Sequence, residues 1–401
     1  MTKQIQDAYI VAAKRTPVGK APRGMFRNVR PDDLLAHTLR ATLAEVPSLD
    51  VNAIDDVVVG CAIPEAEQGM NVARVGLLLA GLPSSVAGMT VNRFCSSGLQ
   101  ALAIAADRVR LGEADVMIAA GTESMSMIPM GGNKVSFSER IFDRDENVGI
   151  GYGMGVTAEK VAEQWKVDRA AQDAFATESH RRALAAIQTG EFHDEITPVT
   201  IDEKVADLDA QEVKHVTRTV SVDEGPRAGT TPDVLARLKP AFAAGGSVTA
   251  GNSSQTSDGA GAVIVVSEAA LSRFNLTPLA RFLGFAVAGV PPAIMGIGPK
   301  MAVPKVLKQV GLRQEDMDWI ELNEAFAAQS LAVINDLGLD PAKVNPLGGA
   351  IALGHPLGAT GAIRAATLVH GLRRRNLRYG MVTMCIGTGM GAAGVFEALH
   401  S

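Results

Sequence analysis

The chain has 401 residues, of which 47% are hydrophobic and only 4% aromatic, and its formal net charge is −5. A chain of this length suggests two or three packed units and is long enough to bury a large core. The slightly acidic balance gives no basic field for nucleic acid, and no apolar run is long enough to span a membrane, so we expect neither kind of partner.

Short apolar runs edged by Gly, Asp or Asn recur along the chain and predict buried strands. In chain order these runs are AYIVAA, DDVVVGCAI, DVMIAAG, GAVIVVSE, WIELNE and YGMVTMCIG. Helical patterns fall between them, and this alternation is typical of mostly parallel sheets with crossover helices. The predicted fold class is α/β.

Two long stretches, which begin at GLPSSVAG and GLDPAKV, resemble copies of one unit. Each passes from a Gly-Leu turn through a short apolar strand into a turn of small residues, then a helix and another strand. The segments DGAGAVIVVSEAAL and GMGAAGVFEALH, which would close each copy, also resemble one another. We therefore predict a duplication into halves 1–270 and 271–401, with Cys95 and His355 at equivalent helix starts.

The pattern changes at about 124–246, where Met- and Gly-rich turns precede a polar amphipathic helix and a charged stretch. An insertion of this length inside a compact fold is usually a functional lid or a binding subdomain. We predict an inserted domain in the first half.

The three cysteines, Cys61, Cys95 and Cys385, are spaced too widely for a CxxC metal site or a disulfide framework. A lone cysteine is usually a small buried hydrophobe. Cys95, however, follows an apolar strand at a turn of small residues that leads into a helix. Because unpaired N–H groups at a helix start favour a thiolate, we expect a lowered pKa and a nucleophile at Cys95.

Three further residues stand in unusual surroundings. His355 lies among many glycines, which suggests close approach of backbone and ligand, and a histidine paired with a cysteine can act as its base. Cys385 ends an apolar strand that runs into a Gly-rich turn. Ligands often bind at the carboxyl end of such a strand, and the backbone N–H groups of the turn can donate to an oxyanion. Asn323 follows a strand and is predicted to open a helix with Glu324 in its first turn, so a simple helix cap is equally compatible with its position.

Four segments together resemble the thiolase family along essentially the whole chain. NRFCSSGLQA resembles the family's nucleophile motif, NEAFAAQ its asparagine motif, GGAIALGHPLGATGA its histidine motif and CIGTGMGAA its second-cysteine motif. The resemblance implies the thiolase fold, with two duplicated αβαβα halves and a coenzyme A-binding loop domain inserted in the first half.

The resemblance also implies roles for the site residues. Cys95 would be the nucleophile that accepts the acyl group, His355 the base that activates it, and Cys385 the acid and base at the α-carbon of acetyl-CoA. Asn323 would hold a water that forms one oxyanion hole with His355, and the N–H groups of Cys95 and Gly387 would form the other. Coenzyme A would be a co-substrate, with no metal and no permanently bound cofactor.

The implied coenzyme A contacts come from three further segments. VTAGNSSQTSDGA indicates Ser254 and the backbone at Ala250, DEGPRAGTTPDVLARLKPAF indicates Arg227, and GYGMGVTAE indicates Met154 in the acyl pocket. On local sequence alone, a turn serine, a solvated arginine and a core methionine are equally compatible with these positions.

The resemblance is strongest to degradative 3-ketoacyl-CoA thiolases of fatty-acid β-oxidation. Acetoacetyl-CoA enzymes of the family commonly have His where this chain has Gly153, and the smaller glycine would leave room for a longer acyl chain. The alternatives are an acetyl-CoA acetyltransferase that works in condensation, and an inactive scaffold that binds CoA or lipid. A ketoacyl synthase would have no second catalytic cysteine, so CIGTGMG argues against it.

Two expectations concern assembly and location. A homodimer or homotetramer follows from the resemblance alone. The first residues, MTKQIQDAYIVAAKRTP, lack the apolar core of a secretion signal, so we expect a cytoplasmic protein.

Overall fold

The computed structural model describes residues 5–207 and 209–400, so the outer ends of the two predicted halves, 1–4 and 401, lie outside it. The strands are β1 (Tyr9–Arg15), β2 (Gly19–Lys20), β3 (Asp56–Gly60), β4 (Ala87–Val91), β5 (Val116–Ser124), β6 (Val199–Asp207), β7 (Glu212–Val220), β8 (Ser257–Val266), β9 (Ala280–Gly289), β10 (Trp319–Leu322), β11 (Tyr379–Ile386) and β12 (Met390–Ala398).

The α-helices are α1 (Pro31–Ala44), α2 (Val72–Leu79), α3 (Ser97–Arg110), α4 (Met154–Trp165), α5 (Arg169–Gln188), α6 (Pro232–Ala236), α7 (Glu268–Phe274), α8 (Gly298–Val310), α9 (Ala327–Leu337), α10 (Ala350–Leu353) and α11 (Leu357–Arg374). No helix among the described residues is both long enough and apolar enough to cross a membrane.

Local sequence sets several helix ends. Asp168 caps α5 by accepting a hydrogen bond from the Ala171 N–H at 2.8 Å, which satisfies a donor that the helix leaves free. Gly311 and Gly338 end α8 and α9 in the left-handed region, at φ 70° and 61°, where glycine has no Cβ to clash. These stops let the chain turn back towards the sheet.

The main sheet has the strand order β10-β11-β12-β9-β1-β8-β5-β3-β4, with β2 paired to β8. Among the strand pairs of the described residues, only β3–β4, β3–β5 and β10–β11 are parallel. The prediction of a mostly parallel sheet is therefore wrong, whereas the α/β class is confirmed. Every residue of the antiparallel neighbours β5 and β8 is buried, so both strands have the continuous apolar pattern that normally accompanies parallel strands.

The sequence patterns predict β4, as the apolar strand that precedes Cys95, but not β9. The structure places β4 at the edge of the sheet with no buried residue. In β9, buried residues alternate with half-buried ones, so a search for short, continuous apolar runs misses this strand.

The sheet repeats one arrangement twice. In the first half, β3 is parallel to β5, β5 is antiparallel to β8, and β8 is antiparallel to β1. In the second half, β10, β11, β12 and β9 pair in the same order and the same sense. The two copies join where β1 and β9 share two residue pairs, Tyr9 with Arg281 and Ile10 with Ala280.

Helices α3 and α11 lie in the centre of the core. Leu99 and Leu102 of α3 and Leu368 of α11 are fully buried in one cluster, and each such side chain contributes roughly 1.5–3 kcal/mol relative to exposure. Gly98 and Gly361 lie where the first turns of the two helices cross: a Cβ on Gly98 would be 2.8 Å from the Ala362 nitrogen, and a Cβ on Gly361 would be 2.0 Å from the Leu99 nitrogen. The crossing brings the starts of the two helices together.

The segment between β5 and β8 contains α4, α5, the hairpin β6–β7 and α6. Arg15 of β1, which is 2% exposed, anchors it by bonding Glu195 at 2.6 Å and both oxygens of Asp223 at 2.8 and 3.0 Å. A buried ion pair of this kind is costly to break, because the remaining charge loses its partner. The charges therefore hold both ends of the hairpin region to the sheet.

Candidate functional site

Cys95 lies in a tight turn between β4 and α3. A 3-10 helix at Phe94–Ser96 carries it, and it directly precedes Ser96, the N-cap of α3. The Ser97 hydroxyl closes the turn by accepting from the Arg93 N–H at 2.8 Å and donating to the Phe94 carbonyl at 2.7 Å. Phe94 has φ 43°, a left-handed conformation that costs about 1–3 kcal/mol for a non-glycine residue and is held by the surrounding structure.

The second half of the chain contributes the turn that faces Cys95. Cys385 is buried in β11, and Gly387, Thr388 and Gly389 lead from that strand into β12. Thr388 also has a left-handed backbone, with φ 71°. The Gly387 N–H hydrogen-bonds the sulfur of Cys95. Two strained turns from opposite halves therefore meet at one sulfur atom.

Burial, and not the helix start, sets the protonation of Cys95. Desolvation raises the pKa of Cys95 to about 11, although hydrogen bonds from the Gly387 N–H and its own N–H act in the other direction. The prediction of a lowered pKa is therefore wrong: Cys95 is only 8% exposed, and transfer of a charge out of water outweighs two N–H groups. Burial and the neighbouring Cys95 also raise the pKa of Cys385.

His355 occupies the matching place in the second half. It directly precedes Pro356, the N-cap of α11, just as Cys95 directly precedes the N-cap of α3. Its backbone N–H donates to the Ser257 hydroxyl at 3.0 Å. Burial, and then the positive charge of Arg364, lower the pKa of His355 to about 3, so the imidazole is neutral at pH 7.

Both ring nitrogens of His355 have partners. Nδ1 lies 2.6 Å from the Thr360 hydroxyl, and Nε2 lies 3.3 Å from the Asn323 side-chain nitrogen. The ring therefore contacts Thr360 and Asn323, while the sulfur of Cys95 is bonded by the backbone of Gly387. The crossing of α3 and α11 brings together the two helix starts that follow Cys95 and His355.

Asn323 is not a helix cap. It follows β10 directly, but α9 begins only at Ala327, so the prediction that Asn323 and Glu324 open the helix is wrong. The intervening backbone is held instead by the Asn323 N–H, which donates to Thr383 of β11 at 2.9 Å. The side-chain oxygen of Asn323 is buried and has no hydrogen-bond partner within residues 5–207 and 209–400. A buried polar atom of this kind usually binds water or ligand.

The residues expected to bind coenzyme A divide into two groups. Met154, the first residue of α4, packs in a cluster with Cys385, and its sulfur lies near Gly387. Ser254 is half-buried, and its N–H donates to the Ala325 carbonyl at 2.9 Å, close to Asn323, while Ala250 is exposed. Met154 therefore lies beside Cys385, and Ser254 lies beside the loop that follows Asn323.

Arg227 lies apart, exposed in the loop after β7. Its backbone N–H donates to His180 Nδ1 at 3.1 Å. Burial, and then the charges of Arg227 and Lys20, lower the pKa of His180 to about 4, so this imidazole remains a neutral acceptor. This backbone hydrogen bond to His180 fixes the position of Arg227, and the arginine side chain is exposed to solvent.

Sequence reasoning missed Thr360, which contacts the His355 ring, and Ser257, which contacts its backbone. Thr360 is five residues beyond His355, about one helical turn into α11, and this spacing was the available signal. Ser257 carried no such signal, because it reaches His355 from β8.

Comparison with known proteins places this geometry in a family. Residues 8–269 match the N-terminal domain of thiolase, and residues 276–398 match the C-terminal domain. The 3-ketoacyl-CoA thiolase of Bacillus subtilis (strain 168) is 51% identical over 395 residues, which cover 98% of this chain and 100% of that protein. The peroxisomal 3-ketoacyl-CoA thiolase 2 of Arabidopsis thaliana is 48% identical over 394 residues, which cover 98% and 84%.

Two solved structures are similar throughout. The Bacillus anthracis acetyl-CoA acetyltransferase has a TM-score of 0.88 at 39% identity, covering 99% of this chain and 100% of that chain. The dimeric peroxisomal thiolase of Saccharomyces cerevisiae has a TM-score of 0.89 at 39% identity, covering 100% and 99%.

Proposed function

This chain belongs to the thiolase family, and on that premise we propose that it is a 3-ketoacyl-CoA thiolase of fatty-acid β-oxidation. It would cleave a 3-oxoacyl-CoA with coenzyme A to give acetyl-CoA and an acyl-CoA that is two carbons shorter. The observation that carries the proposal is the meeting of two buried cysteines, one from each half, in a chain that also places a buried, neutral imidazole at the helix start matching that of Cys95.

The reaction needs both cysteines because two tasks coincide. When the C2–C3 bond breaks, one group must hold the acyl fragment while another delivers a proton to carbon. Cys95 is proposed for the first task, because it lies in the strained turn with N–H groups directed at it. Cys385 is proposed for the second, because its raised pKa keeps the thiol protonated until the enolate forms.

In the first half-reaction, His355 Nε2 accepts the Cys95 proton as the sulfur attacks the C3 carbonyl. The C2–C3 bond then breaks, and its electron pair becomes the enolate of acetyl-CoA. The Cys385 thiol donates its proton to C2, so acetyl-CoA leaves and a Cys385 thiolate remains beside acyl-Cys95. The neutral resting state of His355 makes it ready to accept that first proton.

In the second half-reaction, the Cys385 thiolate takes the proton of the incoming coenzyme A thiol. The coenzyme A sulfur attacks the acyl group on Cys95, and the Cys95 sulfur leaves and recovers its proton from His355. Every proton is returned, so neither a metal nor a redox partner is required by the balance. Release of one product before the second substrate reacts gives ping-pong kinetics.

Negative charge would be stabilised at two places. The N–H groups of Gly387 and Cys95 both act on the Cys95 sulfur. After attack, the C3 oxygen would lie beside this sulfur and could accept from the same N–H groups. The buried, unpartnered oxygen of Asn323 can accept from a water that also contacts His355, and this water would serve the thioester oxygen of the enolate. Removal of one such donor commonly costs about 3–4 kcal/mol of transition-state stabilisation.

Coenzyme A itself would enter past the inserted segment. Met154, which packs with Cys385, and Ser254, whose N–H donates to the Ala325 carbonyl, are proposed to line the acyl group and the pantetheine arm, together with the backbone at Ala250. The side chain of Arg227 is exposed and makes no hydrogen bond within the described residues. We propose that it contacts the nucleotide.

The test is thiolysis of acetoacetyl-CoA and 3-oxohexadecanoyl-CoA, followed by loss of 3-oxoacyl absorbance after coenzyme A is added. We expect wild type to cleave both substrates, and Cys95→Ala and Cys385→Ala to cleave neither. Cys61→Ala is the matched control, because Cys61 is also fully buried but lies outside the proposed mechanism. It should retain activity.

The outcomes are distinct. Cleavage of acetoacetyl-CoA alone would replace the proposal with an acetyl-CoA acetyltransferase, the name carried by the Bacillus anthracis neighbour. If wild type cleaves neither substrate, the chain is not a thiolase in function, despite its family.

We also propose that the chain forms a homodimer, or a tetramer built from dimers, through the β4 edge of the sheet. That edge is unpaired within the described residues, and α2 beside it exposes Val75, Leu78 and Leu79. Met70, two residues before α2, is 95% exposed. Sedimentation of wild type and Leu78→Glu tests this, and a monomeric wild type would contradict it.

A further inference from the structure

The side chain of Thr360 contacts Nδ1 of the His355 ring. Its hydroxyl lies 2.6 Å from Nδ1, and Thr360 and His355 are 1% and 4% exposed. The same hydroxyl lies 3.1 Å from the carbonyl oxygen of Pro356, which starts the helix on which Thr360 stands. One hydroxyl therefore bridges the ring and the backbone that directly follows it.

The protons of this bridge can be counted. The hydroxyl has one proton, and the Pro356 carbonyl can only accept, so donation to Pro356 leaves the threonine oxygen as an acceptor for Nδ1–H. On the other side of the ring, the side-chain nitrogen of Asn323 faces Nε2 at 3.3 Å and can only donate. Every donor then has an acceptor only if Nδ1 carries the proton and Nε2 is unprotonated, so that its lone pair accepts from Asn323.

We propose that Thr360 is a positioning residue that keeps the proton of the neutral His355 ring on Nδ1, and so leaves Nε2 free to take the Cys95 proton. The proposal rests on the function proposed above, because only a reaction that begins with Cys95 needs Nε2 as a base. Which nitrogen of a histidine carries the proton is set by the hydrogen bond that the other nitrogen makes.

A hydroxyl suits this task in a way that a carboxylate would not. It accepts the Nδ1 proton without adding negative charge beside a buried ring, so it does not hold a second proton on the imidazole. The charged group that acts on His355 from its own helix is Arg364, whose positive charge also disfavours protonation of the ring. The ring then rests as a neutral base with its lone pair on Nε2.

The experiment compares three threonine variants. Thr360→Val removes the hydroxyl but keeps the branched shape, and Thr360→Ser keeps the hydroxyl. Thr367→Val is the control: Thr367 is on the same helix and is also 1% exposed, but its hydroxyl donates to Glu195 at 2.7 Å. All three variants remove a buried group from α11, so a purely structural effect should appear in Thr367→Val as well.

The first readout is the ¹⁵N spectrum of the His355 ring at pH 7, assigned by comparison with His355→Gln. We expect a protonated Nδ1 and an unprotonated Nε2 in wild type, Thr360→Ser and Thr367→Val, and a shift of the proton towards Nε2 in Thr360→Val. A wild-type ring protonated on Nε2 would overturn the proposal, as would an unchanged spectrum in Thr360→Val. This readout needs no substrate, so it decides the matter even if the proposed function fails.

The second readout is thiolysis of acetoacetyl-CoA. A general base contributes about 10²–10⁴-fold to a rate, so Thr360→Val should lower kcat by roughly 10²-fold and leave the KM for coenzyme A within about twofold. Thr360→Ser and Thr367→Val should stay within about threefold of wild type. Full activity in Thr360→Val alongside an active wild type would refute the positioning role but leave the thiolase function standing.

Discussion

Gly98 and Gly361 pack backbone against backbone at the crossing of the two central helices. Neither position has room for a side chain: a Cβ on Gly361 would lie 2.0 Å from the Leu99 nitrogen, and one on Gly98 would lie 2.9 Å from the Gly358 carbonyl oxygen. Because Cys95 and His355 each directly precede the N-cap of one of these helices, the glycine contact sets how closely the two residues approach.

Gly361→Ala should therefore damage both stability and activity. The added methyl meets backbone that cannot move without separating the helices, and overpacking of this kind costs about 1–3 kcal/mol. Urea unfolding and thiolysis measure the two effects. Gly289→Ala is the control, since a Cβ there would meet nothing within 4 Å, and it should unfold like wild type. Equal stability of the two variants would show that the crossing is not tight.

The reactivity of Cys95 should follow its raised pKa. With a pKa of about 11, the thiolate fraction in the free protein rises about tenfold per pH unit between pH 7 and pH 10, and the rate of alkylation by iodoacetamide should rise in parallel. The measurement is mass spectrometry of the Cys95 peptide against time. A rate that is already high and constant from pH 7 would reveal a thiolate–imidazolium pair and contradict the neutral resting state.

Glu123 should prove essential for the fold around the histidine motif. Its buried carboxylate accepts from the Ala62 N–H and the Gly358 N–H, each at 2.8 Å, and from the side chain of Gln68. Glu123→Ala would leave these donors unpaired and should cost at least about 3 kcal/mol of unfolding free energy.

The effect of Glu123→Ala is measured by urea denaturation and compared with the effect of removing an exposed glutamate. Glu113→Ala removes a carboxylate whose side chain is 44% exposed and pairs with Arg108 at 3.3 Å, and it should cost less than about 1 kcal/mol. If the two variants unfold at the same urea concentration, Glu123 does not hold the start of α11.

Gly153 should influence acyl-chain length. It precedes Met154 at the start of α4 with φ −61°, and a Cβ there would meet nothing within 4 Å, so larger residues fit without strain. Gly153→His should lower kcat/KM for 3-oxohexadecanoyl-CoA relative to acetoacetyl-CoA by about tenfold or more, because the ring would fill space beside the acyl pocket.

The comparison variant is Gly153→Ala, which should leave the chain-length ratio unchanged. If the ratio of kcat/KM for the two substrates is identical in wild type, Gly153→Ala and Gly153→His, Gly153 does not influence acyl-chain selection.

The α/β class and the family follow from the amino-acid sequence alone, whereas the reacting side chains that it indicates stay a prediction. These features are local: apolar runs fit buried strands, and NRFCSSGLQA and GGAIALGHPLGATGA are each one continuous segment of the chain. The thiolase family is confirmed by both domain matches. Continuous burial, however, makes antiparallel β8 look like a parallel strand, so the sense of the sheet could not be predicted.

The protonation of those side chains depends on tertiary contacts that the sequence does not reveal. The pKa of Cys95 depends on how completely two halves exclude water from it, and no local pattern reports that burial. The proton position on His355 depends on Thr360 and Asn323, which reach the ring from α11 and from the loop after β10. Local sequence specifies which groups are present, whereas desolvation and hydrogen-bond partners arise from segments distant in the chain.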